Sequence, residues 1–292
     1  LFNYNGEDIS CFGASDGEAE VILSGGIAPL TYQWTDGSGA VVSTNPNTGP
    51  ILSDGNYTIT VIDSNLCEYD TTMTLTEPSP VVLNITSSTD ISCFNACDGE
   101  IISQVTGGTN TAVAGYSYEW ENPAGVTIGT DSSISELCNE GTYILEVWDA
   151  NGCQATPPTI SQFITEPAEI IATITASDTG AAHPPFAVMF DANVTPVATY
   201  NYSYNISGDG WVSSTTNPFS VTFTNPGANE VIFKVEYYNL TSPFSVCTVY
   251  DTITIHVQGV DVPNVFSPNG DGNNDLLDIF SGGDVLHFNF NL

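Results

Sequence analysis

A passage that begins at Asp8 is spelled out again from Asp90, and this internal repeat constrains the fold more than any other property of the chain. "DISCF" occurs at both positions. It is followed by "DGE" at Asp16 and Asp98, "GG" at Gly25 and Gly107, "YQW" at Tyr32 or "YEW" at Tyr118, and "GNYTITVID" at Gly55 or "GTYILEVWD" at Gly141. Each copy closes on a cysteine, Cys67 or Cys153, and then on "TEP" at Thr76 or Thr165. The offset widens from 82 residues at Asp16 to 86 at Tyr32, which puts a four-residue insertion in the loop after Gly108, where repeats tolerate it.

Inside each copy the apolar residues alternate with period two. Leu30, Tyr32 and Trp34 alternate with Thr31 and Gln33, and Tyr143, Leu145 and Val147 do the same further on. Several such runs bounded by Gly, Asn and Asp predict an all-β chain of tandem Ig-like antiparallel β-sandwich modules, and no stretch shows a helical period. A third module lacks the "DISCF" opening but keeps the plan, with "FAVMF" from Phe186, "YNYSYNI" from Tyr200, "VIFKVEY" from Val231 and "TITIHV" from Thr252. Pro78 and Pro167 cannot continue a ladder and stiffen the joints, giving an expectation of beads on a semi-rigid string.

Charge excludes whole classes of partner. The 292 residues include 34 acids, one lysine (Lys234) and no arginine, for a net charge of −33. Phosphate-backbone binding needs cations to displace counterions, so nucleic acid is not a partner, and anionic membrane surfaces are disfavoured for the same reason. Hydrophobic residues make up 41% of the chain, which is ordinary for a folded protein, so the acids belong to globular surfaces. The start, "LFNYNGE", carries no targeting signal and reads as the beginning of an excerpt.

Seven cysteines at repeat-matched positions, without metal-type pairs, point to disulfides and an oxidising compartment. Repeat equivalence suggests Cys11 with Cys67 and Cys93 with Cys153, each stapling the ends of one sandwich. Closing the 56-residue loop from Cys11 to Cys67 would stabilise by roughly 4 kcal/mol in the chain-entropy model. Cys97 and Cys138 occur only in the second copy and form an extra pair. Cys247 is left over, as a buried thiol or the donor of an intermolecular bond.

The pattern from Asp8 to Glu169, read twice, resembles the SprB repeat of surface proteins of gliding Bacteroidota. The third module is similar to a PKD-type Ig-like domain, with "SGDGW" at Ser207 near that family's turn. "VPNVFSPNGDGNNDLLDIF" from Val262 resembles the opening of the gliding-motility-associated C-terminal domain, the type B sorting signal of type IX secretion. The resulting division is 1–7 linker or end of a preceding module, 8–81 and 82–169 SprB-like repeats, 170–259 PKD/Ig-like module and 260–292 start of the sorting domain. What the resemblance implies is a non-enzymatic adhesin or filament stalk on the cell surface, exported by the type IX machinery and attached at the outer membrane through a PorP/SprF-like protein. Its outward partner would be an extracellular surface or polysaccharide. The alternatives are the spacer and sorting region of a secreted enzyme, such as a polysaccharide hydrolase, and a carbohydrate-binding array.

Candidate sites are few. Asn269, Asp271, Asn273 and Asp275 lie two apart, and Gly270 and Gly272 let the backbone curl so that four oxygen donors could converge on calcium; a self-satisfied Asx/Gly turn is the alternative. Asp63 with Asn65, and Asp149 with Asn151, fit either calcium or a turn before the cysteine. Trp34 and Trp120 occupy the position where a sandwich buries a large ring, against the alternative of sugar stacking. His183, His256 and His287 have no catalytic constellation around them. "DTT" at Asp70 and "DTI" at Asp251 fit the O-glycosylation pattern of this phylum, with Thr71 and Thr252 as acceptors.

Overall fold

The computed structural model describes residues 3–110, 115–180, 182–196, 198–214, 216–238, 245–259, 277–281 and 284–288, the last two segments as backbone. The four-residue insertion after Gly108 falls mainly on residues 111–114, outside the described residues. Among the described residues every regular element is a β-strand, and the chain divides into two compact units: Leu1–Ile91 with Asn95–Glu166, and Ser92–Phe94 with Pro167–Leu292.

The first unit holds both repeats. In the first, β1 (Thr31–Asp36), β2 (Val41–Ser43), β3 (Gly55–Ile62) and β4 (Glu68–Leu75) form an antiparallel sheet in the order β2-β1-β3-β4. Opposite it run the bridges Gly17 to Leu52 and Glu20 to Asn47. The period-two pattern now has its cause: Tyr57, Ile59 and Val61 of β3 point into a core shared with Trp34, Ile9, Leu52 and Leu75, while the residues between them face outward. Trp34 is 2% exposed and its indole N–H donates to Asn45 O at 3.0 Å, so the ring buries its area without stranding its polar edge.

The second repeat adds β5 (Val82–Thr89), β6 (Gly99–Thr106), β7 (Ser117–Glu121), β8 (Thr127–Gly129), β9 (Ser133–Leu137), β10 (Gly141–Trp148) and β11 (Gln154–Ile164). They make two antiparallel sheets, β5-β6-β9 and β11-β10-β7-β8, closed over Trp120, Tyr143, Leu145, Val147, Ile101 and Leu83. Trp120 repeats the Trp34 arrangement, fully buried with its N–H on Asp131 O. The tyrosine of each "G-x-Y" donates to the carbonyl four residues before it, Tyr57 to Ser53 and Tyr143 to Asn139. Burial pushes both phenols above their ordinary pKa.

"TEP" does more than stiffen a joint. Asp8 accepts from the amide and hydroxyl of Thr76, and Glu77 accepts from Gly13 N. In the second copy Thr165 N donates to Asp90 and Asn95 N to Glu166. The threonine and glutamate thus hold the opening loop of their own repeat at the far end of the last strand.

In the second unit, β12 (Ile171–Ala176), β13 (Phe186–Thr195), β14 (Asn201–Ile206), β15 (Trp211–Ser214), β16 (Phe219–Phe223), β17 (Gly227–Tyr238) and β18 (Val246–Val257) build sheets β12-β13-β16 and β15-β14-β17-β18. Val188, Phe190, Ala192 and Val194 alternate strictly inward along β13, and Phe190, Phe219 and Phe233 form the aromatic centre of the core. "SGDGW" is the turn from β14 to β15, entered with Ser207 at φ 46°. A last hairpin joins β19 (Leu277–Ser281) to β20 (Asp284–Phe288).

Candidate functional site

The pairing of the cysteines overturns the expectation drawn from repeat equivalence. Cys11 bonds Cys153, Cys93 bonds Cys247 and Cys97 bonds Cys138, leaving Cys67 exposed and free. Cys11–Cys67 and Cys93–Cys153 are not formed, and strand length is the reason. The opening loop is held by Thr76 and Glu77 beyond the end of β4, whereas Cys67 precedes its first residue, Glu68. Eight strand residues span roughly 26 Å, while a disulfide needs Cα atoms within about 7 Å. The same holds around β11, with Asp90 and Asn95 anchored to Thr165 and Glu166 and Cys153 before Gln154 at the other end.

The rule that replaces it is simple: the opening cysteine of one module bonds the closing cysteine of the next. Closing cysteines sit at the start of each module's last long strand, before β4 and β11 and as the second residue of β18. Cys247, the leftover of the sequence reading, is therefore the partner of Cys93, and its sulfur lies 3.4 Å from Ser92 O. Cys153 makes the matching contact, 3.2 Å from Ser10 O. The two repeats are thus joined covalently, which corrects the picture of independent beads.

Around Cys11–Cys153 the joint is a built clasp. Asp149 organises it: Oδ1 accepts from Asn151 N and Cys153 N, both at 2.9 Å, and Oδ2 accepts from Thr109 N at 2.8 Å. This turn aims the Asn151 amide nitrogen at Ser10 O (2.9 Å), Tyr4 O (3.3 Å) and Thr109 Oγ1 (3.1 Å). Asn5 answers from the other side, donating to Asn151 Oδ1 at 2.7 Å. Gly107 lets the chain pass close, since a Cβ there would lie 2.0 Å from Pro80 O, and its φ of 77° is one few other residues adopt. In the sequence Asn151 presents itself as a turn residue or calcium ligand, and Asn5 has no evident role. The asparagines of "NYN" at Asn3 and "NGC" at Asn151 were the available signal, but nothing in sequence order says that they meet.

At Asp63 the same turn is formed. Its carboxylate accepts from Asn65 N, Cys67 N and Ile27 N, and the Cys67 amide leads in holding its pKa below the ordinary value. At both positions the carboxylate contacts are all to backbone amides, two within the turn and one, Ile27 N or Thr109 N, from the loop that faces it, so the turn reading accounts for them. Thr71 and Thr252 are exposed on β4 and β18. Asn269, Asp271, Asn273 and Asp275 lie outside the described residues.

The SprB repeat family matches residues 3–39 and 85–125, one segment in each repeat. None of the curated proteins matches the chain. Among solved structures, the three N-terminal domains of the bacteriophage RB49 highly immunogenic outer capsid protein are 15% identical with a TM-score of 0.40, over 87% of this chain and 97% of that one. The N-terminal eight Ig domains of Down syndrome cell adhesion molecule are 15% identical with a TM-score of 0.37, over 85% of this chain, which spans 34% of that structure. The fibronectin(III)-like modules of Clostridium thermocellum CbhA are 14% identical with a TM-score of 0.27, over 61% of this chain and 94% of that one. The repeat match supports a SprB-like surface protein with a structural or adhesive role.

Proposed function

We propose that this chain is part of a non-enzymatic cell-surface adhesin or filament stalk that serves gliding motility, exported through type IX secretion and attached at the outer membrane by its C-terminal domain. The observation that carries the reading is the overlap of Cys11–Cys153 with Cys93–Cys247. Each bond spans a module boundary, so tension along the polypeptide passes from module to module through covalent bonds. A catalytic domain gains nothing from such linkage, whereas a stalk under drag does. The SprB-repeat match and the oxidised cysteines favour the same reading.

Within it, the segment from Val262 opens the sorting signal, a PorP/SprF-like barrel is the outer-membrane partner, and Asn269, Asp271, Asn273 and Asp275 hold calcium that orders the last domain. Thr71 and Thr252 are the O-glycan acceptors, and the free end of the stalk grips a surface or polysaccharide. The test is deletion of residues from Asp261 onward, followed by fractionation and surface digestion with a protease that does not need basic residues. The truncated protein should accumulate folded in the periplasm. Normal surface levels would remove the secretion route from the reading.

A further inference from the structure

We infer that Cys67 is a coupling site for the opening segment of a further SprB-type repeat preceding this one in the polypeptide, which it binds through an Asn65 contact and then a disulfide. The closing site of the second repeat is occupied by such a segment, and the first repeat forms the same backbone turn around the same Asp, Asn and Cys, with Ile27 where the second has Thr109.

The correspondence runs through every bond of the turn. Asp63 N donates to Cys67 O at 3.1 Å and Asp149 N to Cys153 O at 3.0 Å; Leu66 N donates to Asp63 O at 2.9 Å and Gly152 N to Asp149 O at 3.0 Å. Ser64 N reaches Ile27 O as Ala150 N reaches Thr109 O, at 3.0 and 2.9 Å. Asn65 N and Cys67 N lie 2.8 and 2.9 Å from Asp63 Oδ1, against 2.9 Å for both counterparts on Asp149. The site is therefore formed before anything docks, and docking need not order it.

What the equivalent sites hold defines the ligand. At Cys153 it is Tyr4–Cys11, read through carbonyls of Tyr4 and Ser10 by Asn151. At Cys247 it is Ser92–Cys93, with the serine carbonyl again against the closing sulfur. In both bonds the opening cysteine lies earlier in the sequence than its partner. A second copy of this chain is a poor occupant, since its Cys11 and Cys93 are already bonded. Cys67 is exposed where Cys153 is only 9% exposed, and Asn65 stands where Asn151 does its reading.

The chemistry is thiol–disulfide exchange. The Cys67 thiol loses its proton, and its thiolate attacks the incoming cysteine's sulfur, which is held as a mixed disulfide with a carrier thiol. The new S–S bond forms as the carrier thiolate leaves with a proton, so no net electrons are required.

This inference rests on the repeat-array reading, but surface display does not enter its test. The full 292-residue chain is mixed with a peptide copying Asn3–Phe12, its cysteine activated as the 2-thiopyridyl mixed disulfide, or with a scrambled peptide activated likewise. Thiopyridone release gives the rate and intact mass gives the site. The copied peptide should couple at Cys67 about tenfold faster than the scrambled one, the effect of two docking hydrogen bonds. Asn65→Ala should abolish that preference while leaving the reaction with dithiodipyridine unchanged. Equal rates for the two peptides, an Asn65→Ala chain that keeps the preference, or a Cys67–Cys67 dimer as the main product would each overturn it.

Discussion

Stretching the chain end to end distinguishes the interlocked disulfides from any within-module pairing. With all three bonds closed, the shortest covalent route from Cys11 to Cys247 crosses to Cys153, runs 15 residues back to Cys138, crosses to Cys97, runs four residues to Cys93 and crosses to Cys247. At about 3.5 Å per extended residue and about 5.5 Å per disulfide, that route is about 80 Å long. Reduction restores all 236 residues between the two positions, or about 800 Å. Cys153→Ser forces the path through the 82 residues from Cys11 to Cys93 and gives about 290 Å. Pairing Cys11 with Cys67 and Cys93 with Cys153 would instead leave 120 residues on the path, about 430 Å. Single-molecule force spectroscopy with handles at the two ends reads these differences directly, since the chain outside Cys11–Cys247 contributes equally throughout. An oxidised length near 430 Å, or one unchanged by reductant, would refute the interlocked arrangement and the stalk mechanics derived from it.

Two smaller perturbations probe the clasp and its empty-handed counterpart in the first repeat. Asn151→Ala removes the amide that contacts Tyr4 O, Ser10 O and Asn5, and should destabilise the first unit by about 1–3 kcal/mol in urea unfolding; a change below about 0.3 kcal/mol would show that the disulfide alone holds the joint. The Asp63 carboxyl is held below its ordinary pKa chiefly by the Cys67 amide, so the turn's contribution is complete above the ordinary aspartate range and is lost as pH falls through the lower folded value. A carboxyl ¹³C titration should show that depressed midpoint, and a midpoint at or above the ordinary value would mean that the turn does not hold in solution.

The sheets were legible because burial of one face leaves a period-two trace, and Trp34 and Trp120 were legible because few positions in a sandwich bury an indole and still offer its N–H a carbonyl. The asparagine–aspartate turn before Cys67 and Cys153 could also be read, since an Asp side chain two and four residues before unsatisfied amides is a local arrangement. The disulfide partners could not. Repeat equivalence says that Cys11 matches Cys93 and that Cys67 matches Cys153, but it is silent on which ends of a strand adjoin. That depends on Asp8 meeting Thr76 across 68 residues of sequence, a long-range contact with no local signature. Pairing each opening cysteine with the next module's closing one also absorbs Cys247, so the odd cysteine of the sequence reading was itself the trace of the longer period.

The charge of the chain explains why the joint is covalent. With one lysine against 34 acids, and that lysine paired to Glu236 within its own strand, ion pairs between modules are not available. The carboxylates are used locally instead: Asp8, Asp16, Asp36, Asp63, Asp90, Asp149 and Asp251 all accept from backbone amides and pin loops. Between modules the like charges repel over a Debye length of about 8 Å at physiological ionic strength, and apolar contact would have to overcome that repulsion at every joint. A disulfide closing a 142-residue loop contributes about 5 kcal/mol in the chain-entropy model and is not screened by salt. The neutral asparagines at the clasp add direction without adding charge. An acidic surface that keeps modules from collapsing together and a cysteine clasp that keeps them from parting are therefore complementary parts of one solution.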